Sequence, residues 1–209
     1  MNYIENIYIC LAAPLLLASL CLRRDGRTAP AFLLAGMTSC LVSAYISTFI
    51  AYYKGIDVSI AAHEISPVVE ELMKGMPVAF YILVFEPERR AVINGTFMVS
   101  VGFATFENVC FLTSYGTSDL LRLLIRGFGT GAMHVVCGMI VAIGLYLLWD
   151  RIWLRLVGVF ALMCFVITFH AVFNIFVNQT GAVFWIGSFI PMTVAFIYVV
   201  FFQRKIDLL

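Results

Sequence analysis

The sequence predicts an all-α fold: a polytopic membrane bundle of about seven transmembrane helices, with the N-terminus outside and the C-terminus cytoplasmic. Three observations carry this. First, 63% of the 209 residues are hydrophobic and only 12% are charged, against roughly 45–50% and about 25% in soluble domains. With a mean hydropathy of +1.01, the chain lacks the polar residues to cover itself in water. Second, a bilayer core about 30 Å thick needs roughly 20 apolar residues per helix, and seven stretches supply them: 4–22, 29–53, 66–85, 91–113, 123–149, 152–177 and 182–202. Third, the basic residues are unevenly shared between alternate loops. The links after the first, third and fifth stretches, with the tail, hold nine of them: Arg23, Arg24, Arg27, Arg89, Arg90, Arg151, Arg155, Arg204 and Lys205. The opposite side holds two, Lys54 and Arg122, and this bias places the richer side in the cytoplasm.

The first span is an anchor and not a cleavable leader, because Glu5 precedes its apolar core and the arginines follow it. The second is a plain apolar run. The third opens on Ser66-Pro67, a serine suited to the N-cap and a proline suited to the first helical position. Pro77 should kink this helix one turn past Lys74. The remaining four spans follow on short connectors with no soluble insert, so residues 1–209 form a single transmembrane domain. The six cysteines show no CxxC pair or metal-type spacing and pack as small hydrophobes. A nucleic-acid binder, a soluble Rossmann enzyme and a secreted disulfide scaffold are all excluded. The lipid bilayer is the surrounding partner.

Ionisable groups inside a span cost at least a few kcal/mol each and so point to function. Span three carries Glu70, Glu71 and Lys74; span four Glu107 and Asn108; span five Arg126 and His134; span six His170 and Asn174. Taking the orientation from the loop charges, Glu70 lies about a turn below the outer end of its span, and Glu107 within two turns. His134 lies about eleven residues deep and His170 about eight, so at roughly 1.5 Å per residue all fall between the outer surface and the midplane. Four helices therefore present polar groups at one depth. His170 and Asn174 share a helix face, as do Glu70 and Lys74.

Elimination narrows the chemistry. There is no HExxH, since Ile-Ser-Pro follows His63-Glu64, and no GxSxG elbow. No aspartate lies within a span, which removes an intramembrane aspartyl dyad. What survives is a carboxylate with two histidines and an asparagine, suited to hydrolysis by activated water. Glu70 would be the base, His134 would position the water, and His170 and Asn174 would donate to the oxyanion. Glu71, Lys74, Glu107, Asn108 and Arg126 would support them. Glu70, His134 and His170 could instead hold Zn²⁺, which takes the same ligands. Lacking HExxH or cysteine ligands, the pattern favours a metal-free glutamate-type site with no cofactor. A proton-coupled transporter using the same relay, or a non-catalytic scaffold, are the alternatives.

At these residues the chain resembles the PrsW family of intramembrane proteases and, more distantly, the CAAX-protease and bacteriocin-processing superfamily. The matching elements are Glu70-Glu71-x-x-Lys74, Gly102-Phe103-x-x-x-Glu107-Asn108, His134 with Gly138, and His170-x-x-x-Asn174, together spanning 66–178. Where family members often carry tyrosine after the Glu-Asn pair, Phe111 stands here. The resemblance implies an endopeptidase of the plasma membrane that cleaves membrane-anchored proteins, anti-sigma factors being the best-known substrates of the family.

Overall fold

A computed structural model describes residues 4–22, 28–115, 120–148, 152–198 and 200. Those residues form eight helices: α1 (Ile4–Cys21), α2 (Thr28–Lys54), α3 (Val58–Glu64), α4 (Ser66–Phe85), α5 (Arg89–Tyr115), α6 (Leu120–Leu148), α7 (Ile152–Val177) and α8 (Ala182–Ile197). Seven coincide with the apolar stretches read from the sequence. Four of them, in α2, α5, α6 and α7, are long and apolar enough to cross a membrane, and α1 and α8 are shorter apolar helices. Helix α4 has the length of a span at 20 residues, but Glu70, Glu71 and Lys74 interrupt its apolar character. Many large apolar side chains point outward, among them Phe49, Leu83, Trp153 and Phe160. A surface of that kind is solvated by lipid tails, and the protein is a multi-pass membrane protein. Arg23, Arg24, Arg27, Arg151, Arg204 and Lys205, and the end of the seventh stretch beyond residue 200, lie outside the described residues, as do the side chains of Arg122 and Arg155.

Helix α3 is an addition to the seven stretches read from the sequence and contains His63 and Glu64. Asp57 caps it, accepting from the Ser59 amide at 2.8 Å and the Ser59 hydroxyl at 2.6 Å. These bonds, side chain first, hold the Asp57 carboxyl below its ordinary pKa. His63 is partly buried: its Nδ1–H donates to the Ser59 carbonyl at 2.5 Å, and its Nε2 accepts from Asn178 at 3.2 Å. Seven residues are too few to span a bilayer, so periodicity over a span-length window does not reveal them. Helix α3 also displaces the expected cap of α4. Ile65, still in the right-handed region, is the N-cap and makes no side-chain cap bond, while Ser66 is already helical and Pro67 occupies the first turn. The chain passes from α3 into α4 with no extended residue in which Ser66 could cap.

The bundle is organised around α2 and α5, the most extensively packed pair, with α4 laid against both, α6 against α5, α7 against α6 and α4, α1 against α2 and α8 against α6 and α7. Small residues set this closeness. A Cβ on Gly36 would overlap the Val99 carbonyl of α5, and one on Gly102 would overlap the Leu33 carbonyl of α2. Membrane helices gain contact in this way, since lipid offers them no hydrophobic drive to associate. Three apolar clusters follow: Met37, Cys40, Phe103 and Phe106; Val78, Val92, Val99 and Leu145; and Met133, Cys137, Val166 and Phe173. All six cysteines are free thiols. The polar groups of α4 to α7 meet between these clusters.

Candidate active site

Four helices, α4 to α7, deliver the polar side chains, and burial then compels pairing. Glu71 and Lys74, one turn apart on α4, form a buried ion pair at 2.6 Å. Lys74 Nζ also donates to Nδ1 of His134 on α6 at 3.0 Å. With Nδ1 accepting, the hydrogen-bond network assigns the His134 proton to Nε2, which donates to Glu107 Oε2 on α5. Glu107 in turn meets Arg126 Nη2 at 3.4 Å. On the other side, Glu71 Oε1 accepts from Nδ1 of His170 on α7 at 2.8 Å. His170 Nε2 is thereby left with a lone pair, and it faces Glu70 Oε2 at 3.6 Å. One network thus joins α4, α5, α6 and α7.

The imidazoles are sealed from outside, at 0% exposure for His134 and 1% for His170. Their ring centroids are 5.0 Å apart, with the planes at 89°. Phe103 forms the apolar wall, 4.9 Å from the His134 ring and 5.1 Å from Lys74 Nζ. In the sequence Phe103 stands out only as part of the Gly102-Phe103 element, which assigns it no place in the site.

The residues expected to act together divide into two groups. Glu70, His134 and His170 converge, each offering one ligand atom within 4.8 Å of the others. Asn174 is turned elsewhere: its Nδ2 donates to the Ala62 carbonyl at 3.0 Å and ties α3 to α7. Asn108 Nδ2 similarly donates to the Gly127 carbonyl at 3.2 Å, holding α5 to α6. Arg126 lies over the Phe111 ring at 4.6 Å, the position where a family tyrosine was expected.

Two atoms are buried without a hydrogen-bond partner here: Glu70 Oε2 and Arg126 Nη1. An orphaned carboxylate oxygen in an apolar bundle is costly, and a cation is one way to satisfy it. One carboxylate and two imidazoles are the donor set of catalytic zinc, and one of these imidazoles already carries a carboxylate on its far nitrogen, as metal-bound histidines commonly do. The residues fit a metal.

A carboxylate and two imidazoles sunk in a bundle of apolar helices define a membrane-embedded site able to bind a metal ion and activate water. The chain belongs to the PrsW family of intramembrane metalloproteases, whose family model matches residues 27–203. Neither the curated proteins nor the solved structures contain a significant match. Family membership makes the protein an intramembrane protease, as the sequence suggested, with protein substrates. It does not support the preference for a metal-free, glutamate-type site, and favours zinc over no cofactor. That preference leaned on the absence of HExxH, which fixes two ligands on one helical turn. Here the donors come singly from α4, α6 and α7, and no short motif can record them.

Proposed function

We propose that this protein is a zinc-dependent endopeptidase of the plasma membrane that cleaves membrane-anchored proteins, of the anti-sigma-factor kind, in the outer half of the bilayer. In this reading residues 1–209 form one domain with seven spans, the N-terminus outside. The observation that carries the proposal is the buried convergence of Glu70, His134 and His170. These three would hold the ion. Bound zinc supplies a Lewis acid that brings the pKa of a coordinated water near neutrality.

The surrounding side chains have separable tasks. Glu71 fixes the His170 ring with Nε2 toward Glu70, and Lys74 neutralises Glu71. His134 has both nitrogens engaged, by Lys74 and by Glu107, so it joins the ligand set by giving up one of those bonds. With Glu70 serving as a ligand, Glu107 would be the carboxylate to accept a proton from water where His134 gives up its bond to Oε2, whereas Lys74 and His170 keep hold of Glu71. Arg126 Nη1, buried and unpartnered beside Glu107, is the donor available to a developing oxyanion. Asn174 is less suited to that task while it holds Ala62.

The test uses purified protein in liposomes with single-span membrane-anchored test substrates. Wild type should cleave and contain stoichiometric zinc, while Glu70→Gln, His134→Ala and His170→Ala should lose both metal and cleavage. A Glu70→Gln protein cleaving near the wild-type rate would overturn the assignment.

A further inference from the structure

A second feature adjoins the network around the site. Between α4, α5, α6 and α7 lies a cleft of about 340 Å³. Glu71 and Lys74 stand at one end, Val78 and Val141 line it, and Leu83 and Leu156 border the other end. Leu83 and Leu156 are exposed on the outer surface of the bundle. The cleft therefore runs from the buried ion pair away from α3, towards the opposite end of α4. A substrate segment crossing the site and continuing into the membrane would follow this path.

We propose that this cleft is the enzyme's side-chain specificity pocket, taking aliphatic or aromatic residues of the substrate on the membrane-buried side of the scissile bond. The inference rests on the protease reading above. Continuity with the site favours a peptide occupant: Glu71 and Lys74 belong both to the cleft and to the network that holds His134 and His170. An unwound stretch of substrate would present its side chains to this cleft.

Chemistry then selects those side chains. The hydroxyl of Thr96 donates to the Val92 carbonyl at 2.8 Å and that of Ser100 to the Thr96 carbonyl at 3.1 Å. Lys74 is committed to Glu71 and His134. A polar substrate side chain would exchange its water for a lining that is almost wholly apolar, so the cleft discriminates against it.

Gly75 provides the test. It lines the cleft, and a Cβ built there meets no atom within 4 Å. Gly75→Leu therefore has room for its Cβ and adds side-chain volume at the cleft, and it replaces a poor helix former with a good one. The probe is a panel of single-span membrane-anchored proteins with Gly, Ala, Leu, Phe or Asn at each of the four positions on the membrane-buried side of a cleavage point mapped by mass spectrometry. Wild type should prefer Leu or Phe at one of these positions. Gly75→Leu should reverse that preference, lowering the kcat/KM ratio of Phe to Ala by about tenfold or more, while zinc content stays at the wild-type level. Val141→Ala, which enlarges the cleft, should move the ratio the other way. Unchanged selectivity in both variants overturns the proposal, and so does release of a co-purifying acyl lipid by Gly75→Leu with selectivity intact. Failure of wild type to cleave any panel member overturns the protease reading, and this inference with it; cleavage with unaltered selectivity overturns this inference alone.

Discussion

Glu71 on α4 lies 2.8 Å from Nδ1 of His170 on α7, 99 residues further along the chain. The same carboxylate oxygen takes the Lys74 ammonium at 2.6 Å. Glu71 thus fixes the tautomer of one histidine while being neutralised by a lysine that touches the other. In the proposed zinc site this would place Glu71 behind a metal-bound histidine, where water cannot substitute for any member.

Loss of Glu71 should therefore act through the metal and through stability together. Glu71→Ala leaves His170 free to rotate and Lys74 unpaired. Zinc affinity should fall about 10–100-fold, as for other partners of metal-bound histidines. Stranding the lysine should cost about 3–5 kcal/mol. The double variant Glu71→Leu/Lys74→Met removes both charges, so it should recover most of the stability while zinc affinity stays low. Thermal unfolding in detergent and competition with a zinc indicator separate the two effects. Equal zinc affinity in wild type and Glu71→Ala would remove the outer-shell role.

Chelation tests the metal directly. Exhaustive treatment of the purified enzyme should abolish cleavage of a membrane-anchored substrate, and zinc should restore it. The chelated protein should unfold at lower temperature, because a ligand held only by the folded state stabilises it. Full activity in protein shown by elemental analysis to lack zinc would return the site to glutamate catalysis.

Much of this site was legible in the sequence because the membrane makes polar residues conspicuous. The depth argument brings Glu70, Glu107, His134 and His170 to one level, and the structure joins all four in a single network. Which partner each takes was not legible. Lys74 reads locally as the partner of Glu71, and nothing in its spacing shows that its ammonium also reaches His134, 60 residues away. Asn174 shares a helix face with His170, yet the intervening turn aims it at Ala62. That carbonyl belongs to α3, a helix too short to announce itself in hydropathy. Gly36 was likewise silent, and Gly102 stood in the family-like motif without a packing reason, since the carbonyl each one admits comes from another helix.

Gly102→Leu should test that packing. The added side chain would collide with the Leu33 backbone, which has no flexible end to move aside. Separation of α2 from α5 would shift Phe103, and with it the wall of the site. Loss of stability and of zinc binding together is expected, whereas Gly127→Leu on α6, where a Cβ meets nothing within 4 Å, should be far milder. Comparable melting temperatures for the two variants would contradict the close approach.

Orientation can be read by cysteine labelling in intact cells. In a cysteine-free background, Gly26→Cys and Glu88→Cys should be shielded from an impermeant reagent, and Asp57→Cys should react. The basic residues flanking positions 26 and 88 motivate this, with nine on that side against two. A shielded position 57 would invert the proposed orientation and place the site in the inner half of the bilayer.

The last expectation separates two candidates for the oxyanion donor. Arg126 Nη1 is buried and unpartnered next to Glu107, whereas the Asn174 amide already serves Ala62. A donor aimed at developing charge typically contributes about 10²–10³-fold in turnover. Arg126→Met should therefore lower kcat by that order with little change in KM, and Arg126→Lys, which keeps the charge but not the fork of donors, should recover only part of it. Asn174→Ala should instead cost a bond that ties α3 to α7, roughly 1 kcal/mol, seen as faster amide exchange over residues 58–64 with kcat within a few-fold of wild type. The two readouts are independent, because an oxyanion donor need not protect α3 and an α3 tether need not touch kcat. If Asn174→Ala shows the hundredfold loss in kcat and Arg126→Met does not, the assignment reverses, and Asn174 must release Ala62 during turnover.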